Sequence, residues 1–122
     1  MSDCGICLGI DDYEPPSFCL IEIRLAKKTH ICCECKQEIK SRQKYEYTSG
    51  RWDERFETYK TCMICKDIRE SFCCNGWEYT TLWSDIYENL FPIMTTGCLN
   101  KLSTVEAKKL LLEKWNEWKF KR

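Results

Sequence analysis

Two Cys-x-x-Cys pairs, Cys32/Cys35 and Cys62/Cys65, stand with 26 residues between them in a chain that carries eleven cysteines in 122 residues. A two-residue spacing lets one tight turn aim both sulfurs at a common point. Two such turns together supply the four soft donors that a tetrahedral ion takes. A fold built on this pattern must bring the two turns together, whatever lies between them. Cysteines are also packed in cores as small apolar groups, but two matched pairs favour ligands. A disulfide scaffold is the other way to use many cysteines. The count is odd, and the start of the chain has no basic stretch followed by an apolar one. That combination leads us to expect a chain that is not exported and stays in the cytosol, where thiols remain reduced.

The length suits one domain, residues 1–122. Apolar residues at 43% and aromatics at 13% are enough for a folded globule rather than a disordered tail. No apolar run approaches the roughly 20 residues of a membrane span. The net charge is zero but unevenly spread: residues 1–22 hold five acids and no base, and residues 24–44 hold seven bases against two acids. A neutral total argues against a generic nucleic-acid coat, while the basic segment leaves a local anion-binding face open.

Three parts are expected along the chain. Residues 1–23 read as an irregular acidic lead broken by Pro15 and Pro16, with Phe18, Leu20, Ile21 and Ile23 docking onto the core. Residues 24–76 read as the metal-binding core. Lys44 to Thr48 and Arg55 to Lys60 have strand character, Ser49-Gly50 opens the connection between them, and Trp52 falls at or near the hairpin tip. Thr61 can cap a helix through Cys65, Ile68, Arg69 and Phe72 that stops before Asn75-Gly76. Residues 77–122 read as a helical extension. One helix is capped by Thr80 or Thr81 and stops near Pro92. After a connection over residues 94–101, a second opens at Ser103-Thr104-Val105-Glu106, read as a capping box. Ala107, Leu111, Trp115 and Trp118 line its apolar face.

The fold class is therefore α+β. A turn with two ligands, a hairpin, and a helix whose first turn carries two more resembles a small treble-clef zinc domain, here followed by two further helices. The expected cofactor is one structural Zn2+ on Cys32, Cys35, Cys62 and Cys65, since closed all-thiolate sites are structural rather than catalytic. Cys33, between the knuckle positions, is expected to point elsewhere, and His30, the only histidine, to pack or hydrogen-bond. A second site remains open: Cys4-x-x-Cys7 has knuckle spacing, one of the adjacent Cys73 and Cys74 can join it, and Cys19 and Cys98 are further donors. Buried thiols are the alternative.

The string His30-x-Cys32-x-x-Cys35, Ile39, Tyr45-Glu46, Gly50-x-Trp52, Thr61-Cys62-x-x-Cys65-x-x-Ile68-Arg69 resembles small uncharacterised proteins encoded by bacteriophages and prophages. They share an acidic, cysteine-containing N-terminus and a Gly-Trp after the helix, as at Gly76-Trp77. The resemblance implies a treble-clef zinc domain in a bacterial cytosol and supplies no activity. The layout is also similar to half of a LIM domain, which implies protein binding only. The chain departs from RING and double LIM domains, which interleave two complete sites with histidine among the ligands.

Three function classes follow. A His-Asn-His nuclease needs a histidine on the hairpin, and residues 45–60 contain none; no enzyme is expected. A nucleic-acid binder could use Lys27, Lys28 and Arg42 within the basic segment 24–44, with Tyr45, Tyr47 and Trp52 for stacking. A protein-interaction module could use Trp52 and Trp118, tryptophan being enriched at binding hot spots. The favoured expectation is a phage accessory protein that binds a host or phage protein.

Overall fold

The computed structural model describes residues 4–8, 18–52, 54–74 and 76–121. The Pro15-Pro16 break, the acids at positions 3, 11, 12 and 14, and Asn75 of the expected helix stop lie outside them. The described part is mixed α+β. Two small antiparallel sheets are built from β1 (Phe18–Leu25), β2 (His30–Ile31), β3 (Glu38–Ile39), β4 (Lys44–Trp52) and β5 (Arg55–Cys62). The larger has the order β1-β4-β5 and the smaller pairs β2 with β3. Helix α1 (Met63–Phe72) follows β5 directly.

The β4–β5 hairpin is longer than its sequence signals suggest. Ser49-Gly50 does not open the connection: Ser49 pairs with Thr58 and Gly50 with Glu57 inside the ladder, which closes at Trp52 and Arg55. Gly50 serves close packing instead. A Cβ there would lie 2.5 Å from the Trp52 ring and 2.8 Å from the Phe18 carbonyl, so only glycine lets β1 and Trp52 approach. Trp52 does stand at the hairpin end, as expected.

The lead differs more. Residues 18–25 form a regular strand paired along its length with β4, from Phe18 opposite Arg51 to Leu25 opposite Lys44. Its apolar residues do not dock onto the core: Phe18, Leu20, Ile21, Ile23 and Leu25 are 46–59% exposed. The strand is an edge, and no other described strand covers its outer side.

On β4 the buried residues are Tyr45, Glu46, Thr48 and Gly50, while Tyr47 is only half-buried beneath the Arg24 guanidinium. The face turned toward α1 therefore carries a charge, which Arg69 of α1 neutralises through two hydrogen bonds of 2.8 and 2.7 Å to the Glu46 carboxylate.

Beyond α1, helix α2 (Leu82–Asp85) widens into a π-helical turn (Ile86–Leu90), with Thr81 at its N-cap. A 3₁₀ segment (Thr96–Lys101) and helix α3 (Val105–Phe120) follow. The spacing of the α3 face holds: Ala107, Leu111 and Trp115 are buried and Trp118 packs on Phe91, ring centroids 5.9 Å apart. The capping box is displaced by one residue. Thr104 is the N-cap and its hydroxyl accepts from Ala107 N–H, so Glu106 is not at the reciprocal position. Asp67 of α1 replaces it, accepting the N–H of Ser103 at 3.0 Å and the N–H and hydroxyl of Thr104, each at 2.9 Å.

Burial works against the charged Asp67, but the donors of Ser103 and Thr104 outweigh it and hold its carboxyl below the usual range. A carboxyl lowered by folding stabilises above its unfolded pKa, about 3.9, and loses that contribution as pH falls through the folded value. Asp67→Ala is expected to cost about 1–2 kcal/mol at neutral pH. The difference from the parent chain should shrink in urea melts taken below about pH 4; a constant difference would mean that Asp67 acts through packing alone.

Candidate metal centre

The first pair sits in the tight turn that joins β2 to β3. Cys32 N–H donates to the Gln37 carbonyl at 2.9 Å and Lys36 N–H to the Cys32 carbonyl at 3.1 Å, and Lys36 takes the left-handed conformation at φ 64°. The turn is held against the hairpin by Cys33 N–H on the Lys60 carbonyl at 2.8 Å. The second pair is set by the passage from β5 to α1. The helix N-cap is Cys62, one residue later than Thr61, and its sulfur accepts from Cys65 N–H at 3.4 Å. Thr61 is buried in the strand. A thiol at an N-cap is stabilised as thiolate by the free N–H groups and the positive end of the helix dipole.

These two turns bring the Sγ atoms of Cys32, Cys35, Cys62 and Cys65 within 4.8 Å of one another, with 3.8 Å between those of Cys35 and Cys62. The edge of a tetrahedron with roughly 2.3 Å metal–sulfur bonds is about 3.8 Å, so the cluster has the size of a metal site. Cys32 and Cys65 are fully buried and the other two half-buried. The thiols compete for charge among themselves. Hydrogen bonds from Cys35, Cys62 and Cys65 draw the Cys32 thiol far below the ordinary range, and Cys32 in turn drives those of Cys62 and Cys65 above it. A divalent cation at the centre removes that competition by stabilising all four thiolates at once.

The sulfurs also have N–H donors. Cys32 Sγ receives Glu34 N–H at 3.4 Å and Cys62 N–H at 3.3 Å, and the Trp83 indole N–H reaches Cys65 Sγ at 3.4 Å. Such outer hydrogen bonds orient ligands and spread their negative charge. Glu34, inside the knuckle, is itself buried and accepts the N–H groups of Thr80 at 3.0 Å and Leu82 at 3.2 Å. Burial pushes its carboxyl up, and those two donors oppose the rise. The knuckle thereby caps α2, and Trp83 on α2 returns a donor to the cluster. Spacing alone does not reveal Glu34 or Trp83, because both act across the fold.

The competitors fall outside the cluster. Cys33 turns its thiol to Thr61 Oγ1 at 3.5 Å, and burial pushes it up to about 11. His30 packs against Tyr45, ring centroids 5.3 Å apart and the planes tilted by 49°. Trp52 and Trp118 are both half-buried in aromatic contacts, Trp52 against Tyr59 and Tyr79 and Trp118 against Phe91. Lys27, Lys28 and Arg42 are exposed and share one corner, since Arg42 N–H donates to the Ala26 carbonyl at 2.7 Å and Ser41 Oγ to that of Lys27 at 3.4 Å.

No family model matches the chain, and no curated protein or solved structure matches it. No helix among the described residues is long and apolar enough to cross a membrane.

Proposed function

We propose that this is a treble-clef-type zinc protein, in which a structural ion on Cys32, Cys35, Cys62 and Cys65 holds a scaffold that binds another protein. The order of knuckle, hairpin and helix N-terminus supports the treble-clef reading, and the all-thiolate donor set with its N–H donors supports zinc in a structural role. The observation that carries the binding role is β1. Five apolar side chains, each about half exposed, lie on an edge strand whose outer side no other described strand covers, the kind of edge proteins otherwise shield. An added strand from a partner would satisfy its backbone and cover those side chains. The resemblance to phage proteins makes the expected partner a host or phage protein in a bacterial cytosol, with no catalytic step.

A second reading rests on the corner where Lys27, Lys28 and Arg42 converge, which could hold nucleic-acid phosphates. Ile21→Lys/Ile23→Lys and Lys27→Glu/Lys28→Glu/Arg42→Glu separate the two readings in pull-downs from host lysate and on heparin resin. Protein binding is expected to be lost with the strand variant and kept with the corner variant, with little heparin retention in either. Salt-sensitive retention that disappears with the corner variant alone would replace the first reading with the second.

A further inference from the structure

Outside this cluster the fold gathers a second set of four cysteines. The sulfur of Cys4 meets that of Cys98, and the sulfur of Cys7 meets that of Cys74, as disulfide partners with Cα atoms 4.8 and 5.8 Å apart. The sequence separations are 94 and 67 residues, so no local constraint explains their meeting. Both pairs draw one member from the same Cys4-x-x-Cys7 segment, so at that end the two pairs stand three residues of chain apart. The turn is fastened in place: Leu8 N–H donates to the Phe72 carbonyl, Leu8 bridges to Cys73 in parallel, and Lys101 Nζ reaches the Ile6 carbonyl at 3.2 Å.

We infer that Cys4, Cys7, Cys74 and Cys98 are the ligands of a second structural zinc ion, which clamps the N-terminal turn to the end of α1 and to the 3₁₀ segment. The donor set matches the first centre in having four sulfurs, but pairs one two-residue-spaced segment with two cysteines from separate parts of the chain. Of the adjacent cysteines only Cys74 turns to this set. Cys73 stays apart as a free, half-buried thiol. A tetrathiolate zinc site carries two negative charges, and the ammonium of Lys101 lies beside the turn to offset part of them. Thr95 Oγ1, 3.7 Å from Cys98 Sγ, adds a hydroxyl donor.

The point rests on the proposed first centre: surroundings reducing enough to keep four cysteines there as thiolates also favour the dithiol form of these two pairs. From the disulfide-paired form, two molecules of a dithiol reductant deliver four electrons and four protons. Both S–S bonds break to thiols while the dithiols close to cyclic disulfides. Zn2+ then displaces the four protons and forms four Zn–S bonds.

The test is native mass spectrometry with elemental analysis on the full chain, prepared with zinc and a dithiol and without chelator. Two zinc ions per chain are expected. Cys7→Ser and Cys74→Ser, both at exposed positions, should each hold one. A single zinc that survives Cys7→Ser overturns the inference, and a wild-type chain prepared without dithiol and lighter by four hydrogens would then identify two disulfides. A single zinc in the parent chain that is lost with Cys7→Ser would instead remove the first centre and leave this one standing. Should the variants fail to fold, titrating the wild-type chain with Co2+ reads the same quantity. Tetrahedral thiolate absorption saturating at two equivalents supports the second site, and saturation at one overturns it.

Discussion

Cys65→Ser is expected to abolish the folded state rather than weaken it. Cys65 is wholly buried, and its sulfur belongs to the cluster that joins the β2–β3 turn to the start of α1. Serine removes a soft thiolate and leaves a hydroxyl among three thiols, a poor donor set for zinc. Apparent binding energies of structural zinc are about 10–16 kcal/mol in small domains. Whole-domain stabilities are about 5–15 kcal/mol, so losing the ion exceeds what the rest of the chain can make good. The loss should propagate, because Glu34 in the same turn caps α2 and Trp83 on α2 donates to the cluster. Far- and near-UV circular dichroism checks this, with a strong chelator on the parent chain as the parallel arm. Both should give non-cooperative melts. A cooperative transition near the parental temperature in either arm would mean that the apolar core holds the fold unaided and would remove the structural role from the ion.

How much of this could be read beforehand depended on the reach of each signal. Short-range patterns carried well. The two-residue cysteine spacing and the α3 face of Ala107, Leu111 and Trp115 are set within one or two turns of backbone, and both are in place. Patterns that depend on a distant partner did not carry. Glu46 alternates with tyrosines and reads as a solvent-side charge, yet it is buried because Arg69, 23 residues on, meets it. Glu106 has the spacing of a capping box, but Asp67 from another helix takes that place. Gly50 reads as a turn residue, while its role is to admit the Trp52 ring. For β1, adjacent apolar residues suggested burial, and the strand instead lies on a sheet edge. Cys74 and Cys98 carry no local signature at all, and only the fold brings them to Cys4 and Cys7.

The buried Glu46–Arg69 pair is the other feature whose removal should be costly, and its two single variants and double variant are expected to disagree with additivity. Both side chains are about 2% exposed. The guanidinium makes its two bonds through one nitrogen, while Nε and Nη1 have no hydrogen-bond partner among the described residues. Its faces instead meet the rings of Trp77 at 4.5 Å and Tyr79 at 5.6 Å, which recovers part of the desolvation cost through the ring quadrupoles. Arg69→Met leaves Glu46 as a buried carboxylate with the Thr48 hydroxyl as its hydrogen-bond donor among the described residues. That is expected to cost about 3–5 kcal/mol, the usual penalty for orphaning one member of a buried pair. Glu46→Met, which strands the guanidinium, should cost a similar amount. The double variant should recover most of the loss, because methionine fills similar volume without any charge to desolvate. Denaturant melts of the four proteins, with zinc in excess, give the coupling energy directly. Near-additive losses would mean that the pair is solvated well enough to contribute through packing alone. Strong coupling would make it a second fastening of α1 to the sheet, set two turns beyond Cys62 of the proposed metal centre.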